Sequence, residues 1–356
     1  MTITKIPAAG FTGNNFRNII INGDMSIAQR GTSTASITGD GYQTVDRFKT
    51  LISSAGTWTQ SQSTDVPTGQ GFAKSLKMDC TTADSSLSAA DSVRFQQLFE
   101  GQNLQYLKKG TSSAESLTLS FWVKSNKTGT YAIYLYDQDN ARSISKTYTI
   151  SSASTWEKKT ITFAGDTTGA FDNDNALSLQ LNFVLAAGTN WTSGTLNTSW
   201  NSWTQANSAV GQVNLADDTA NEWYITGVQL EAGTAASDFE FLPVDVNLNR
   251  CLRYYEVFAE GDNQMLGMGG DYSTNNNAFI GNYYTKRTAP ALSIVTGSHY
   301  QRTSAGSSTT ITSFSIFQTT TKRTFIFSSG GASPSVNNFF YDTISSTAYM
   351  ALDSEL

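Results

Sequence analysis

The sequence predicts an all-β protein: an antiparallel jelly-roll sandwich, then a short helix, then a small β-rich C-terminal domain. Three observations predict it. Only 15% of the residues are charged and 39% are hydrophobic, while Ser, Thr, Asn and Gly fill most of the remainder. That is the usage of strands joined by turns. Apolar residues recur at every second position in many short runs, and around Pro243 this period gives way to spacings of three and four. A chain of 356 residues exceeds what one core usually fills, so two domains are expected.

Residues 1–16 carry Gly and Pro but no sustained period. They read as an extended arm, either a frayed terminus or an anchor that orders on docking to a neighbouring subunit or a larger assembly. From 17 to 243 the alternation is repeated. Leu117, Leu119, Phe121 and Val123 interleave with Thr118, Ser120 and Trp122; Leu177, Leu179, Leu181 and Phe183 interleave with Ser178, Gln180 and Asn182. Each run puts one face on a core and the other on water. Turn clusters such as Asp137-Gln138-Asp139-Asn140 separate such runs, and many short strands of this kind fit a two-sheet jelly roll.

Residues 244–260 form the predicted helix. Val244, Leu248, Cys251, Tyr255 and Phe258 fall on one helical seam, with Asp245 as N-cap. The seam either lines a three-fold axis between subunits or packs on its own domain. Residues 261–356 return to strands, and Phe314, Ile316, Phe325, Phe327, Phe339, Phe340 and Tyr341 give this part a strongly aromatic core or interface. No fixed-period repeat is present, which disfavours a solenoid or propeller.

Four segments carry a resemblance. They are Arg17 to Gly31 (with Asn22-Gly23-Asp24), Trp223 to Gly233, Asn249 to Glu256 (Arg250-Cys251-Leu252-Arg253-Tyr254-Tyr255), and Lys286 to Leu292 (Arg287 to Pro290). In this order they resemble the tail fibre and appendage (receptor-binding) proteins of bacteriophages that carry a jelly-roll domain like a carbohydrate-binding module. The resemblance implies that the first two segments are the opening and closing strands of the jelly roll. It implies a virion component assembled in the host cytoplasm, homotrimeric, held to other virion proteins by the N-terminal arm, and attached to a host-surface glycan or protein. A structural virion protein with no host-binding role, such as a capsid fibre, collar part or adaptor, fits the same segments. So does a polysaccharide depolymerase.

Elementary chemistry narrows the alternatives. The net charge of −6 offers no basic patch for a phosphate backbone, so nucleic acid is not an expected partner. No apolar run approaches the roughly 18 residues of a membrane span, and no export signature opens the chain, so membrane insertion is not expected. Cys80, in phase with Leu76 and Met78, reads as a buried thiol. The single histidine, His299, removes most zinc sites and makes any Ser-His-Asp arrangement depend on one residue. Acidic residues such as Asp137, Glu157 and Glu222 are plentiful, but their spacing selects no pair for glycoside hydrolysis. No catalytic set is assigned.

Two loops hold the remaining candidates. Phe171-Asp172-Asn173-Asp174-Asn175 groups oxygen-bearing side chains, either as an Asx-rich turn or as a structural calcium site at Asp172 and Asp174. No other cofactor is expected. The segment Asn190 to Trp203 concentrates Trp191, Trp200 and Trp203 among small polar residues. Flat aromatic faces in polar loops can hold sugar rings, and they can equally staple a long loop.

Overall fold

The computed structural model describes residues 16–273, 276–304, 307–329 and 339–356. The arm that was expected to anchor the protein lies outside them except for Phe16, as do the side chains of Phe325 and Phe339.

The protein is all-β, and its strands pair antiparallel. The jelly roll comprises β1 (Ser33–Ile37), β2 (Gly41–Tyr42), β3 (Phe48–Ser53), β4 (Thr57–Ser63), β5 (Ser75–Thr82), β6 (Ser92–Glu100), β7 (Leu117–Ser125), β8 (Gly129–Asp137), β9 (Arg142–Ile150), β10 (Glu157–Phe163), β11 (Leu177–Ala187), β12 (Asn201–Ser202) and β13 (Glu222–Ala232), with the single turn α1 (Thr189–Thr192) after β11. One sheet runs β1-β4-β5-β13-β7-β10 and the other β12-β9-β8-β11-β6-β3-β2. Their inner faces meet in one core, where Phe95, Phe121, Phe183 and Trp223 stack edge-on or tilted within 6.3 Å. Burying a side chain of this size stabilises a fold by about 1.5–3 kcal/mol each.

The opening segment does not form a regular strand, which corrects the expectation from the resemblance. It runs beside β13 as irregular chain, with Asn22 and Met25 at positive φ. Hydrogen bonds from Ile19 N to Leu230 O (2.9 Å) and from Val228 N to Gly23 O (2.9 Å) tie it down. A side chain at Gly23 would meet the Val228 carbonyl oxygen at 2.1 Å, so the close approach requires glycine.

The helix is shorter than predicted. α2 covers Val244–Leu252 only, preceded by Pro243 as N-cap, with Asp245 inside the first turn. Tyr255 and Phe258 belong instead to β14 (Tyr255–Glu260), which pairs with β23 (Tyr349–Asp353). The five-residue seam therefore does not exist as one helical stripe: Val244 is exposed, Cys251 is buried, and Leu248 is half-buried. Between β14 and β23 lie β15 (Met265–Ser273), β16 (Asn276–Asn282), β17 (Ala291–Ile294), β18 (Tyr300–Ser304), β19 (Ser307–Ile311), β20 (Ser313–Phe317), β21 (Arg323–Ser329) and β22 (Phe339–Thr343). They form a β14-β23-β17 sheet and a β19-β18-β22-β15-β16-β21-β20 sheet. An aromatic core is present here, but among the described side chains it takes Phe314 and Tyr341 from the predicted set and adds Phe279 and Tyr300, the four rings packing at 5.0–6.0 Å. Ile316 packs at its edge and Phe340 is exposed.

Three of the four segments that carry the resemblance meet where the two domains join, and the fourth, Trp223 to Gly233, is bonded to the first of them. The Asn247 amide of α2 reaches Asn22, Asp24 and Ser26. Arg253 clamps the buried Glu100 carboxylate at the end of β6 from two nitrogens, at 2.8 and 2.6 Å, and Tyr254 adds its hydroxyl at 2.5 Å. Lys286 donates to the Leu252 carbonyl and Glu256, while Arg287 donates to Ser354, Glu355 and Asn175 carbonyls.

Burial by itself raises the Glu100 carboxyl, but Arg253 and Tyr254 outweigh it and hold the group below the usual glutamate value of 4.5. A carboxyl depressed in the folded state contributes fully above its unfolded pKa, and that contribution is lost as pH falls through the lower folded value. Thermal unfolding between about pH 6 and about pH 3 should therefore show an acid loss in the wild type. Arg253→Met should be less stable at neutral pH and lose less on acidification. Parallel pH profiles would refute this role for Arg253.

Candidate functional site

The site lies on the face of the β12-β9-β8-β11-β6-β3-β2 sheet that points away from the main core. Residues directly opposed in an antiparallel ladder share a face. Ser145 opposes Tyr134, Tyr134 opposes Asn182, Asn182 opposes Gln96, and Gln96 opposes Lys49. These five residues make one row across β9, β8, β11, β6 and β3. The next row sets Val184 beside Arg94 and Leu51.

Alternation in β11 predicted that Ser178, Gln180 and Asn182 would face water. The structure differs: Asn182 is 0% and Tyr134 2% exposed. The chain from β11 to about residue 213 folds back over this face. Trp191, Ala209 and the half-buried Trp203 pack on Ala132, Tyr134, Tyr136 and Val184 as a second, smaller core. Trp203 lies 5.5 Å from the Tyr134 ring and 4.9 Å from Tyr136. The Arg94 guanidinium sits 4.4 Å over Trp191.

The floor under this roof is polar and unpaired. Among the described residues, both amide atoms of Asn182, Gln96 Oε1, Arg94 Nε, Ser145 Oγ and Trp191 Nε1 are buried with no hydrogen-bond partner in the chain. Each such group costs about 1–3 kcal/mol relative to a paired one, and native interiors hold few of them. Ser145, Asn182 and Gln96 share one row, Arg94 stands on the next and Trp191 lies in the roof above them; Arg47 Nε, Ser92 Oγ and Ser178 Oγ are unpaired elsewhere. A surface with amides beneath half-buried aromatic rings has the chemistry to accept a ligand that offers both hydroxyls and an apolar ring face.

Of the three predicted tryptophans, the structure brings Trp191 and Trp203 together at this site, 6.5 Å apart. Trp200 is elsewhere: it packs against the main core and donates to the Ala164 carbonyl at 2.7 Å. Trp191 is buried and staples the loop, which leaves Trp203 and Tyr136 as the rings with open surface. Asn182, Gln96 and Arg94 were not picked out by the sequence.

The other candidates are structural in their contacts. Asp174 Oδ1 accepts from Ala176 N, as in an Asx turn, and the Asp172 backbone N–H donates to the Asp139 carboxylate of another loop. Among the described residues, no three His, Cys, Asp or Glu side chains group to hold a metal ion. Asp137, Glu157 and Glu222 are each engaged by a lysine: Lys109, Lys159 and Lys77. His299 lies at the entry to β18 with Nδ1 3.3 Å from Thr347 Oγ1. Cys80 and Cys251 are free and buried, and burial pushes the Cys80 thiol up to about 11. A cavity of about 500 Å³ at the domain junction is lined by Ile19, Tyr106, Arg250 and Arg253. Its charged groups are already engaged, Arg253 by Glu100 and Arg250 by the Asn18 carbonyl.

No known family matches the sequence, and no curated protein matches it. Among solved structures, the chain is similar to the enzymatically active domain of tailspike protein 4 of bacteriophage CBA120, at 14% identity and a TM-score of 0.33. That match takes 62% of this chain and only 22% of the tailspike domain. It is similar to a xylan-binding domain of carbohydrate-binding module family 22, at 14% identity over 57% of this chain and 99% of that one, with a TM-score of 0.29. A family 11 carbohydrate-binding module from Clostridium thermocellum, in complex with a β-1,3-1,4-mixed-linked tetrasaccharide, gives 12% identity over 58% and 98%, with a TM-score of 0.27.

Proposed function

We propose that this protein binds carbohydrate without chemistry, on the roofed face of the seven-stranded jelly-roll sheet, and serves as a bacteriophage appendage that attaches to a host-surface glycan. The observation that carries the binding reading is the buried, unpaired Asn182 amide with the unpaired Gln96 Oε1 in the same row, beside Tyr134, Tyr136 and Trp203. Sugar hydroxyls pair with amides in both directions, and a sugar ring face packs on an aromatic ring. The virion setting rests on the segments that resemble phage appendages.

One such site binds weakly, and a homotrimer would turn later contacts into intramolecular events. Apolar surface for self-association is better supplied by the C-terminal sheet than by α2. Phe340 opposes Met268 there, with Ile280 alongside, and all three are exposed. The N-terminal arm would hold other virion proteins.

The test uses the unpaired amide. Asn182→Leu removes two buried groups without partners, so it should stabilise the jelly roll by about 1–2 kcal/mol. The same change should abolish binding to host envelope polysaccharide in a pull-down with the full-length chain. A variant that binds as wild type sinks the proposed site.

A further inference from the structure

We propose that the sugar bound at this face is anionic, and that its carboxylate opens the site by drawing Arg94 away from Tyr134. This rests on the glycan reading above and adds the class of ligand.

β11 lies between β8 and β6. Tyr134 stands on β8 and Arg94 on β6, yet Arg94 Nη1 donates to the Tyr134 hydroxyl at 3.1 Å. That bond therefore crosses above β11, where Asn182 opposes Tyr134 and Val184 opposes Arg94. It closes over the Asn182 amide, whose two polar atoms have no partner beneath it.

Arg94 is also a cation without an anion. Lys77, Lys109, Lys124, Lys127, Arg142 and Lys159 of the jelly roll each pair with a carboxylate. Lys74, Lys146 and Lys158 pair with none among the described residues, and Arg94 differs from them in lying over Trp191 beside the unpaired floor. Among the described residues no carboxylate lies in ion-pair range of Arg94, and its Nε has no partner. Lys49 is its diagonal neighbour on the same face, since Arg94 opposes Leu51 and Gln96 opposes Lys49. At the far end of the face the Glu100 carboxylate is taken by Arg253 and Tyr254. A protein with 29 acidic and 23 basic residues thus keeps an unneutralised guanidinium beside a buried polar floor, with the Lys49 ammonium farther out at the Tyr42 ring.

A carboxylate offers the guanidinium two parallel hydrogen bonds and an opposite charge, whereas the Tyr134 hydroxyl offers one bond and no charge, so the phenol is the weaker competitor. A uronate or sialate carboxylate would take Arg94 from Tyr134, uncover Asn182, and let the neighbouring hydroxyls reach Asn182 and Gln96. A neutral sugar lacks the group that opens the site. The arrangement therefore selects for charge first and hydroxyl geometry second.

The experiment is a glycan array carrying matched neutral and uronate- or sialate-bearing oligosaccharides, probed with the full-length protein, Arg94→Gln, Tyr134→Phe and Asn182→Leu. The expected result is binding confined to acidic glycans and weakened by added salt. Arg94→Gln should lose it by at least about tenfold, and Tyr134→Phe, which leaves Arg94 held only by its contact with Trp191, should gain. Binding to neutral glycans that ignores salt and Arg94→Gln, but is lost in Asn182→Leu, overturns the anionic inference and leaves the glycan reading standing. No binding to any glycan, with all variants alike, overturns both.

Discussion

Lys109→Ala should unfold the jelly roll more readily than the wild type by about 3–5 kcal/mol, the cost of breaking a buried ion pair from one side. The Lys109 ammonium is almost fully enclosed. It lies 2.5 Å from Asp137 Oδ2 and 3.2 Å from Asp166 Oδ2, and donates to the Thr168 and Gly169 carbonyls at 3.1 and 2.7 Å. The Phe171 and Trp200 rings flank it at 5.1 and 5.4 Å. Asp166 keeps Arg142 as a second partner at 2.7 Å, but Asp137, whose side chain is fully buried, keeps only the Asn140 backbone and amide donors. Removing the ammonium leaves that carboxylate charged and unmatched. Denaturant titration measures the loss, and Lys109→Met combined with Asp137→Asn should recover a large part of it, because both members of the pair are then neutral. If the double variant is as unstable as Lys109→Ala, the loss comes from packing and the electrostatic account fails.

The second large effect is expected at the domain junction. Arg47, at the entry to β3, is buried and ion-paired with Glu355 at the other end of the chain. Its guanidinium also donates to the Leu98 carbonyl at 2.8 Å and lies 3.4 Å over the Tyr254 ring. Arg30 repeats the arrangement over Tyr255 at 3.4 Å and reaches Asp353 and Glu355 at 3.4 and 3.5 Å. Tyr255 and Tyr349 close the cluster through their hydroxyls. Arg47→Ala leaves Glu355 buried with only the longer Arg30 contact, so a loss of about 3–5 kcal/mol is again expected. Its location predicts the form of the loss: the domains should uncouple, and calorimetry should resolve two transitions with the C-terminal one lowered. A single transition at the wild-type temperature would show that this cluster does not couple the domains.

The strands were legible because alternation is local. Leu117, Leu119, Phe121 and Val123, and Leu179, Leu181 and Phe183, reach the core as their period requires, while Leu177, ahead of a register shift, stays half-buried. The helix was over-extended for an equally local reason. Tyr255 and Phe258 continue the three-and-four spacing of Val244, Leu248 and Cys251, but the chain turns at Arg253 because a strand from the far C-terminus, β23, is there to pair with β14. Period alone cannot register a partner about 95 residues away.

The site was hidden by the same limit. Asn182, Gln96 and Arg94 occupy outward positions of alternating strands, where polar residues ordinarily face solvent. What makes them unusual is the roof built from Trp191 and Trp203 and the bridge from Arg94 to Tyr134, and both come from distant segments. The tryptophan cluster was the one local signal; Trp191 and Trp203 of it meet over this face, whereas Trp200 packs against the main core. Three of the segments that carry the resemblance converge on the junction and none of the four reaches the row at Asn182, so they report architecture.

The most direct test of the central claim is a crystal structure of the full-length protein with an oligosaccharide that it binds in solution. The account predicts the sugar across β8, β11 and β6, with hydroxyls on Asn182 and Gln96, a ring face on Trp203 or Tyr136, and Arg94 parted from Tyr134. A sugar seated on the C-terminal domain or in the junction cavity, with the Arg94–Tyr134 bond intact, would contradict it.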